Sequence, residues 1–474
     1  MKNSVYSKLI IIGLILVGLV GCSRSTSSHA SRQTDPPNII VILADDAGYV
    51  DFGFMASQDL ETPRIDQLAA DGVIFTDAHV SASVCAPSRA GLITGRYQQR
   101  FGHECNGIPA DDGLRPSVPT IGKHLQQQGY RTMALGKWHL GLGDAYHPNV
   151  RGFDDFYGFL SGSRSYFPNE NQDQEGKPTA ILHNREHVQF EGYLTDVLGD
   201  RAVQFIDQQQ NKPFFMYLAF NAVHTPMHAK EEHLEKYRDH PRQKLAAMTW
   251  SMDENIGKVI DKLKSEGLYE NTLIFFLSDN GGAYNNQSSS GPLKGWKGNK
   301  FEGGHRVPFT VTWPRRVKGG QTFDQLTSAL DIFATSVQAA GIDPNTTETD
   351  GVDLLPYLNG ERQGAPHDWL FWRKGKMAAV RKAEWKLIRL EDYGYRVYDL
   401  EANLGETENL TIENPQMKVE LQSGLESWEK ELEAPRWLEG DVWPQVTYEI
   451  HQALMENREP NYTNPGAMRR FKGQ

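Results

Sequence analysis

The chain has 474 residues, 39% of them hydrophobic, which is ordinary for a soluble globular protein and enough for more than one folding unit. Its net charge of −11 argues against a general nucleic-acid binder, so we expect no nucleic-acid partner. The charge does not exclude a small basic pocket, because a cleft can oppose the sign of the whole molecule.

The N-terminus has the pattern of a signal peptide. Lys2 and Lys8 precede an apolar run, residues 9–20, that is too short to span a membrane. The run leads into Leu-Val-Gly-Cys ending at Cys22, which resembles the cleavage box of bacterial lipoproteins. The resemblance implies cleavage before Cys22 and lipidation of that residue, palmitate included, and several acyl chains would anchor the protein stably. Ser23 favours the outer membrane; the alternative is ordinary secretion without modification.

Composition divides the chain into four parts. A signal peptide with the lipidated cysteine covers residues 1–22, and a Ser/Thr-rich flexible tether covers residues 23–37. We predict an α/β catalytic domain over residues 38–360 and a smaller C-terminal subdomain over residues 361–474.

Four apolar runs are predicted to be buried strands, at residues 38–43, 130–135, 214–219 and 272–277. An apolar stripe at spacings of three and four, from Leu245 to Leu263, predicts an amphipathic helix. Alternating strand and helix patterns predict a mainly parallel sheet covered by helices on both faces.

Polar residues follow each predicted strand directly. In open α/β sheets, ligands bind at the carboxyl ends of the strands, so we expect these side chains to converge at one edge. In chain order they are Asp45 and Asp46, then Lys137 and His139, then His224, and finally Asp279 and Asn280.

The Asp-Asp pair and the Asp-Asn pair predict a metal site. Asp45, Asp46, Asp279 and Asn280 offer only oxygen ligands, which favours a hard cation over zinc. We expect one Ca²⁺ per chain, with Mg²⁺ as the less favoured ion. The alternative role for Asp45 and Asp46 is capping of a helix in the following loop, which is common for a single Asp.

Cys85 begins the run Cys-Ala-Pro-Ser-Arg, and Thr-Gly-Arg follows at residues 94–96. Pro87 suits the first turn of a helix, so Cys85 would face the positive end of that helix, with Arg89 one turn further along the same face. In an exported protein, a disulfide to Cys105 is the alternative. Cys105 otherwise has no motif and is expected to be a small buried hydrophobe.

This run resembles the signature of type I, formylglycine-dependent sulfatases. The resemblance implies an alkaline-phosphatase-like three-layer α/β sandwich and the hydrolysis of sulfate esters. It also implies a partner, the formylglycine-generating maturation enzyme, which would convert Cys85 to 3-oxoalanine. The hydrated aldehyde would attack sulfur, and its oxygen would join Asp45, Asp46, Asp279 and Asn280 around Ca²⁺.

The resemblance assigns catalytic roles to five further residues. Arg89 would stabilise the hydrate, Lys137 would neutralise the sulfate, and His139 would assist its elimination. His224, in a His-Thr-Pro run, would be the acid for the leaving alcohol. Lys297 would be the second sulfate-binding lysine.

Lys297 lies in a Gly-, Ser- and Asn-rich stretch, residues 282–304, that predicts a long functional loop. Lys294 is the alternative if the loop shifts register. Ser161 or Ser163 would contact the formylglycine. Residues expected to recognise substrate, by aromatic stacking on sugars or by contact with anionic groups, are Arg164, Tyr166, Phe167, Trp296, His305, Asp144 and His147.

The C-terminal pattern predicts short antiparallel strands at residues 383–388 and 395–400 and a helix from residue 415 to about 432. Tyr398-Asp399-Leu400 with residues 405–410 resembles a tail motif common in bacterial sulfatases.

Together these features predict an exported, lipid-anchored sulfatase acting on a sulfated carbohydrate, a polysaccharide or its oligosaccharides. A phosphodiesterase or phosphonate hydrolase of the same superfamily is one alternative. The other is a catalytically inactive sugar-binding lipoprotein whose Cys85 is never oxidised.

Overall fold

A computed structural model describes Met1 and residues 35–208, 212–440 and 442–461. Cys22 and all but the last residues of the predicted tether lie outside the described residues. From Pro36 onward the described residues belong to one compact unit. Among the described residues, no helix combines the length and apolar character needed to cross a membrane.

Sixteen strands and eleven α-helices lie within the described ranges. The strands are β1 Asn38–Ala44, β2 Val73–Phe75, β3 Ala78–His79, β4 Arg131–Lys137, β5 Asp155–Phe159, β6 Leu182–His183, β7 Glu186–His187, β8 Phe214–Ala219, β9 Thr272–Ser278, β10 Phe309–Thr312, β11 Gln321–Phe323, β12 Thr327–Ser328, β13 Trp369–Lys374, β14 Met377–Lys382, β15 Trp385–Leu390 and β16 Gly394–Asp399. The helices are α1 Pro63–Ala70, α2 Cys85–Thr94, α3 Ile121–Gln127, α4 Leu194–Asp207, α5 Glu231–Lys236, α6 Gln243–Ser265, α7 Glu302–His305, α8 Asp331–Ala339, α9 Leu355–Leu358, α10 Pro415–Glu429 and α11 Val442–Met455.

The large sheet has ten strands in the order β11-β2-β10-β9-β1-β8-β4-β5-β6-β7. Its five central strands, β9-β1-β8-β4-β5, are parallel, and all four predicted strands are among them. Every residue of β1, β8 and β9 is buried, because helices cover both faces of the sheet.

The two faces of β1 contribute to separate hydrophobic cores. Ile40 and Ile42 pack with α1, α4 and α6, whereas Ile39 and Val41 pack with α2, α3 and α8. Helix α6 contains the whole predicted apolar stripe, and its six members are all buried. The predicted three-layer α/β sandwich is therefore confirmed.

The smaller sheet is antiparallel, in the order β13-β14-β15-β16, and includes both predicted C-terminal strands. Its two faces are covered by different helices. Helix α10 buries Leu421, Leu425 and Trp428 against one face, and α11 packs Val446 and Ile450 against the other. The predicted helix from residue 415 thus ends at Glu429, slightly before the expected position.

Candidate active site

The carboxyl ends of the parallel strands bring the predicted acidic residues together. Asp45 and Asp46 follow β1, and Asp279 follows the neighbouring β9. The backbone N–H of Asp46 donates to Asp279 Oδ1 at 3.2 Å, and the side-chain amide of Asn280 donates to Asp46 Oδ1 at 2.8 Å. All four residues are buried, and Asp46 has a left-handed backbone with φ of 65°. Such a conformation is costly for a residue other than glycine and concentrates at functional sites.

Cys85 is the first residue of α2 and points at these carboxylates. Its Sγ lies 3.6 Å from Asp45 Oδ1, 3.8 Å from Asp46 Oδ1 and 3.1 Å from Lys297 Nζ. Burial raises the pKa of the Cys85 thiol to about 12, although Lys137 and Lys297 oppose that shift. Both Cys85 and Cys105 are free and buried, so the alternative of a disulfide between them is wrong.

Arg89 lies one helical turn beyond Cys85, as its spacing predicts, and is completely buried. Its Nε donates to Asp279 Oδ2 at 2.8 Å, and its terminal nitrogen donates to the carbonyl oxygen of Lys137 at 2.9 Å. The guanidinium thus ties α2 to the ends of β9 and β4.

Two lysines neutralise the paired aspartates. Lys137 Nζ lies 2.9 and 2.7 Å from the two carboxylate oxygens of Asp45, and Lys297 Nζ lies 2.6 Å from Asp46 Oδ1. Burial by itself would raise the pKa of Asp46, but Lys297, His224 and Lys137 together hold that pKa well below its usual range.

Lys294, the alternative to Lys297, points elsewhere. Its Nζ donates to the backbone carbonyl of Glu406 at 2.9 Å and to Asn457 Oδ1 at 2.6 Å. The two neighbouring lysines of the loop therefore have separate surroundings, and Lys297 alone of the pair reaches Cys85.

His139 and His224 both border this cluster. His139 has φ of 56° and packs tightly on Gly162, where an added Cβ would lie 2.6 Å from the imidazole Cε1. His224 Nδ1 lies 2.6 Å from the carbonyl of Thr225 and carries a hydrogen there, so Nε2 faces Asp46 at 3.5 Å. Burial lowers the pKa of His224 to about 4, against the raising effect of Asp46.

Tyr166 holds the loop that presents His224. Its hydroxyl contacts the carbonyl oxygen of Asn221 and that of His224, the latter at 2.8 Å. The ring is fully buried and stacks on Tyr193 at a centroid distance of 5.5 Å. Tyr166 therefore contacts the backbone of the His224 loop and does not line the cavity, so the structure does not favour the predicted contact with substrate.

The donor chemistry of the cluster fits a hard divalent cation. Ligand atoms of Asp45, Asp46, Cys85 and His224 lie within 4.8 Å of one another. Asn280 Oδ1 is buried without a hydrogen-bond partner among the described residues, as expected of an oxygen reserved for an ion.

A family model for "Sulfatase" matches residues 37–342, which is more than half of the chain and includes every residue of this cluster. The chain belongs to the sulfatase family. It is therefore a sulfuric ester hydrolase. A second family model, "N-sulphoglucosamine sulphohydrolase, C-terminal", matches residues 295–434 of this sulfatase.

Named relatives and solved structures agree with this assignment. N-acetylgalactosamine-6-sulfatase of Mus musculus is 33% identical over 395 residues, covering 75% of this chain and 72% of the relative. Arylsulfatase G of Rattus norvegicus is 32% identical over 435 residues, covering 82% of this chain and 81% of the relative. The crystal structure of Ps i-CgsB in complex with k-i-k-neocarrahexaose is 35% identical, with a TM-score of 0.81, and the match covers 89% of this chain and 99% of that one. The fold is thus that of the alkaline-phosphatase-like sulfatases, with a small C-terminal antiparallel sheet.

The buried cluster around Asp46 and Cys85 opens into a cavity of about 490 Å³ in this sulfatase. Cys85, His139, His224 and Lys297 line it, together with Ser163 and Trp296 from the predicted substrate-binding set. Ser161 does not line the cavity and donates to the carbonyl oxygen of Ser163 at 3.0 Å, so the two candidate serines differ in their access to the cavity.

The structure corrects the prediction that Arg164 contacts substrate. Its side chain is fully buried and its guanidinium donates to Asp173 at 2.7 Å and to the carbonyl oxygens of Ser165 and Thr179. Each nitrogen of the Arg164 guanidinium therefore already donates to a group inside the protein. Arg164 supports the loop before Tyr166 and does not line the cavity.

The structure also corrects the prediction that His305 contacts substrate. Its ring stacks on Trp372 at a centroid distance of 3.9 Å, and its Nδ1 lies 3.0 Å from His79 Nδ1. His79, Glu302 and His305 could in principle hold a metal, but Lys386 and Arg381 already contact Glu302 at 2.9 and 3.1 Å. The cluster is a buried ion-pair network beneath the Lys297 loop.

The remaining substrate predictions also fall outside the cavity lining. Phe167 is partly exposed beside Tyr193 and His228, Asp144 pairs with Arg185, and His147 is buried against Phe156.

Sequence reasoning missed one wall of the cavity. Asn106, Lys374, Glu439, Trp443 and Thr447 line it, although no motif marks any of them. They come from three distant segments, so only the folded chain reveals that they meet.

Proposed function

We propose that this sulfatase hydrolyses sulfate esters of a carbohydrate, a sulfated polysaccharide or its oligosaccharides, using a formylglycine made from Cys85 and a bound Ca²⁺. The observation that carries the proposal is the position of Cys85 Sγ, 3.1 Å from Lys297 Nζ and within 3.8 Å of Asp45 and Asp46. An oxygen nucleophile built on that side chain would meet both a cation site and a sulfate-binding lysine.

Asp45, Asp46, Asp279, Asn280 and the modified residue 85 would hold the ion. Bound there, Ca²⁺ would offset negative charge on the sulfate oxygens and on the nucleophile. Charge balance supports this arrangement. Three carboxylates already face three cationic side chains, Arg89, Lys137 and Lys297, so the charges of the site balance without an ion. An added divalent cation would make the site net positive, which favours the binding of an anionic ester.

The aldehyde hydrate would carry two hydroxyl groups on one carbon. One hydroxyl loses its proton and attacks sulfur, the S–O bond to the sugar breaks, and the sugar leaves as an alcohol. The second hydroxyl then loses its proton and re-forms the aldehyde, and the C–O bond to the sulfate breaks. Water restores the hydrate, so the sum is one ester and one water giving one alcohol and one hydrogen sulfate. This route splits one difficult step into two.

The surrounding residues would move protons and hold charge. His224 Nε2 faces the cavity and would protonate the departing sugar oxygen, because bound sulfate would raise its pKa from the low value of the free site. His139 would assist sulfate release, and Lys137 and Lys297 would bind the sulfate oxygens. Arg89 would stabilise the hydrate from beneath.

The carbohydrate substrate is supported by the cavity and by the relatives. A volume of about 490 Å³ accommodates more than an inorganic anion and lies in the usual range for organic ligands. One relative is an N-acetylgalactosamine-6-sulfatase, and one solved relative is in complex with k-i-k-neocarrahexaose.

A screen of defined sulfated oligosaccharides tests this proposal. Protein co-produced with a formylglycine-generating enzyme should release sulfate from at least one member, and Cys85→Ala should release none. Matched sulfate and phosphate esters of the same sugar distinguish a sulfatase from a phosphodiesterase or phosphonate hydrolase. Faster cleavage of the phosphate ester would contradict the proposal.

We also propose that the protein is exported and lipid-anchored through Cys22, in the bacterial outer membrane. The support is the sequence pattern around that residue, which lies outside the described residues. Radiolabelled palmitate should label the wild-type protein and not the Cys22→Ala variant. The wild-type protein should need detergent for extraction from membranes, whereas the variant should not.

A further inference from the structure

The N-terminal turn of α11 forms part of the cavity wall, and it lies beyond the residues matched by either family model. Trp443 is the large side chain of this wall. Its side chain is 44% exposed, whereas apolar residues of the next turns, Val446 and Ile450, are buried beneath it. An indole left partly open at the rim of an active-site cavity is available to a ligand.

The segment that carries Trp443 is firmly attached to the catalytic domain. His451 Nδ1 donates to the carbonyl of Thr447 at 2.7 Å, and its Nε2 accepts the backbone N–H of Lys300 at 3.0 Å. Lys300 in turn donates to Ser83 Oγ at 2.9 Å. Helix α11 is therefore coupled both to the loop of Lys297 and to the segment just before Cys85.

Polar groups line the same cavity as Trp443. Lys374 Nζ lies 2.6 Å from Glu439 Oε2, and the backbone N–H of Asn106 donates to Glu439 Oε1 at 3.1 Å. The side chain of Asn106 accepts the backbone N–H of Ala86, in the first turn of α2, at 2.9 Å. An aromatic face next to fixed hydrogen-bonding groups is suited to a sugar ring, which has apolar C–H faces and a hydroxyl rim.

We propose that Trp443 is a sugar-binding residue of this sulfatase, stacking on a pyranose ring of the sulfated oligosaccharide while Lys374, Glu439 and Asn106 bind its hydroxyl groups. The inference rests on the proposed carbohydrate substrate. It places substrate selection partly on a C-terminal helix that contributes nothing to the sulfate-reacting cluster.

Binding to the non-hydrolysing Cys85→Ala protein tests the inference by calorimetry. The probes are k-i-k-neocarrahexaose and an oligosaccharide bearing N-acetylgalactosamine 6-sulfate. For the probe that binds, adding Trp443→Ala should weaken affinity about tenfold or more, the usual loss at an aromatic hot spot. Trp443→Phe should recover part of that loss, because a smaller aromatic face remains.

Leu438→Ala is the matched control, since Leu438 is 67% exposed in the same segment and does not line the cavity. It should leave the affinity unchanged. Thermal unfolding of all variants should coincide, because Trp443 is partly exposed. Equal affinity in the Trp443→Ala and Leu438→Ala proteins would overturn this inference alone. Failure of the Cys85→Ala protein to bind either probe would count against the proposed carbohydrate substrate, and the inference would fall with it.

Discussion

Arg89 and Asp279 form a buried ion pair, with Nε 2.8 Å from Oδ2, that fastens the helix of Cys85 to the end of a central strand. Both side chains are inaccessible to solvent, so neither charge can be compensated by water if its partner is lost. The pair therefore connects the position of Cys85 to the stability of the fold.

In the metal-free protein, Arg89→Met should leave the Asp279 carboxylate buried without its ion-pair partner. We expect the free energy of unfolding to fall by about 3–5 kcal/mol, measured by denaturant unfolding. Arg115→Met is the control, because Arg115 pairs with Glu433 at the surface and its loss should cost at most about 1 kcal/mol. Equal effects of the two substitutions would contradict the structural role of Arg89.

Lys297 and Lys294 lie three residues apart in one loop, so alanine substitutions at the two positions can be compared directly. Lys297→Ala removes the amine beside Cys85 and Asp46, so kcat/KM for a sulfate ester should fall by about 10²–10³, as for loss of one oxyanion-binding group. Lys294→Ala should affect activity little, because its amine contacts Glu406 and Asn457. A larger loss in the Lys294 variant would mean that the loop has another register in solution.

Tyr166→Phe tests how the His224 loop is held. Removing the hydroxyl leaves the carbonyl oxygen of His224 without its donor, whereas that of Asn221 still accepts the backbone N–H of His224, so kcat should fall and the pH–rate profile should shift. Tyr193→Phe removes a similar hydrogen bond, to the carbonyl of His228 at 2.9 Å, and should not move the profile. Indistinguishable profiles for wild type and Tyr166→Phe would exclude a positioning role.

Chelation should destabilise the enzyme if the acidic cluster binds a divalent ion. Ligand at 100 times its Kd stabilises a protein by about 2.7 kcal/mol, so EGTA should lower the Tm measurably and Ca²⁺ should restore it better than Mg²⁺. Asn280→Ala removes the unpartnered buried oxygen and should abolish most of the Ca²⁺-dependent shift. A Tm independent of chelator and of both ions would contradict the metal assignment.

The sequence alone was sufficient for the centre of this site. Parallel strands align their carboxyl ends, so Asp45, Lys137, His224 and Asp279 had to meet once the sheet was recognised. The helix at Cys85 followed from Pro87 and from the spacing to Arg89, and the structure has that helix at Cys85–Thr94.

The periphery could not be predicted in this way. Arg164 and His305 follow motifs that suggest substrate contact, but their burial depends on Asp173 and Trp372, whose proximity no local pattern encodes. Trp443 lies more than 350 residues after Cys85 in the sequence, and it reaches the cavity only because α11 packs on the smaller sheet. Long-range packing therefore decides which residues line the cavity.

We propose that Cys85 becomes the aldehyde nucleophile, and the tryptic peptide spanning residues 65–89 tests this most directly. Protein co-produced with a formylglycine-generating enzyme should yield this peptide with the mass of formylglycine in place of cysteine, in a fraction that parallels its sulfatase activity. Fully active protein whose peptide retains the cysteine thiol would contradict the account.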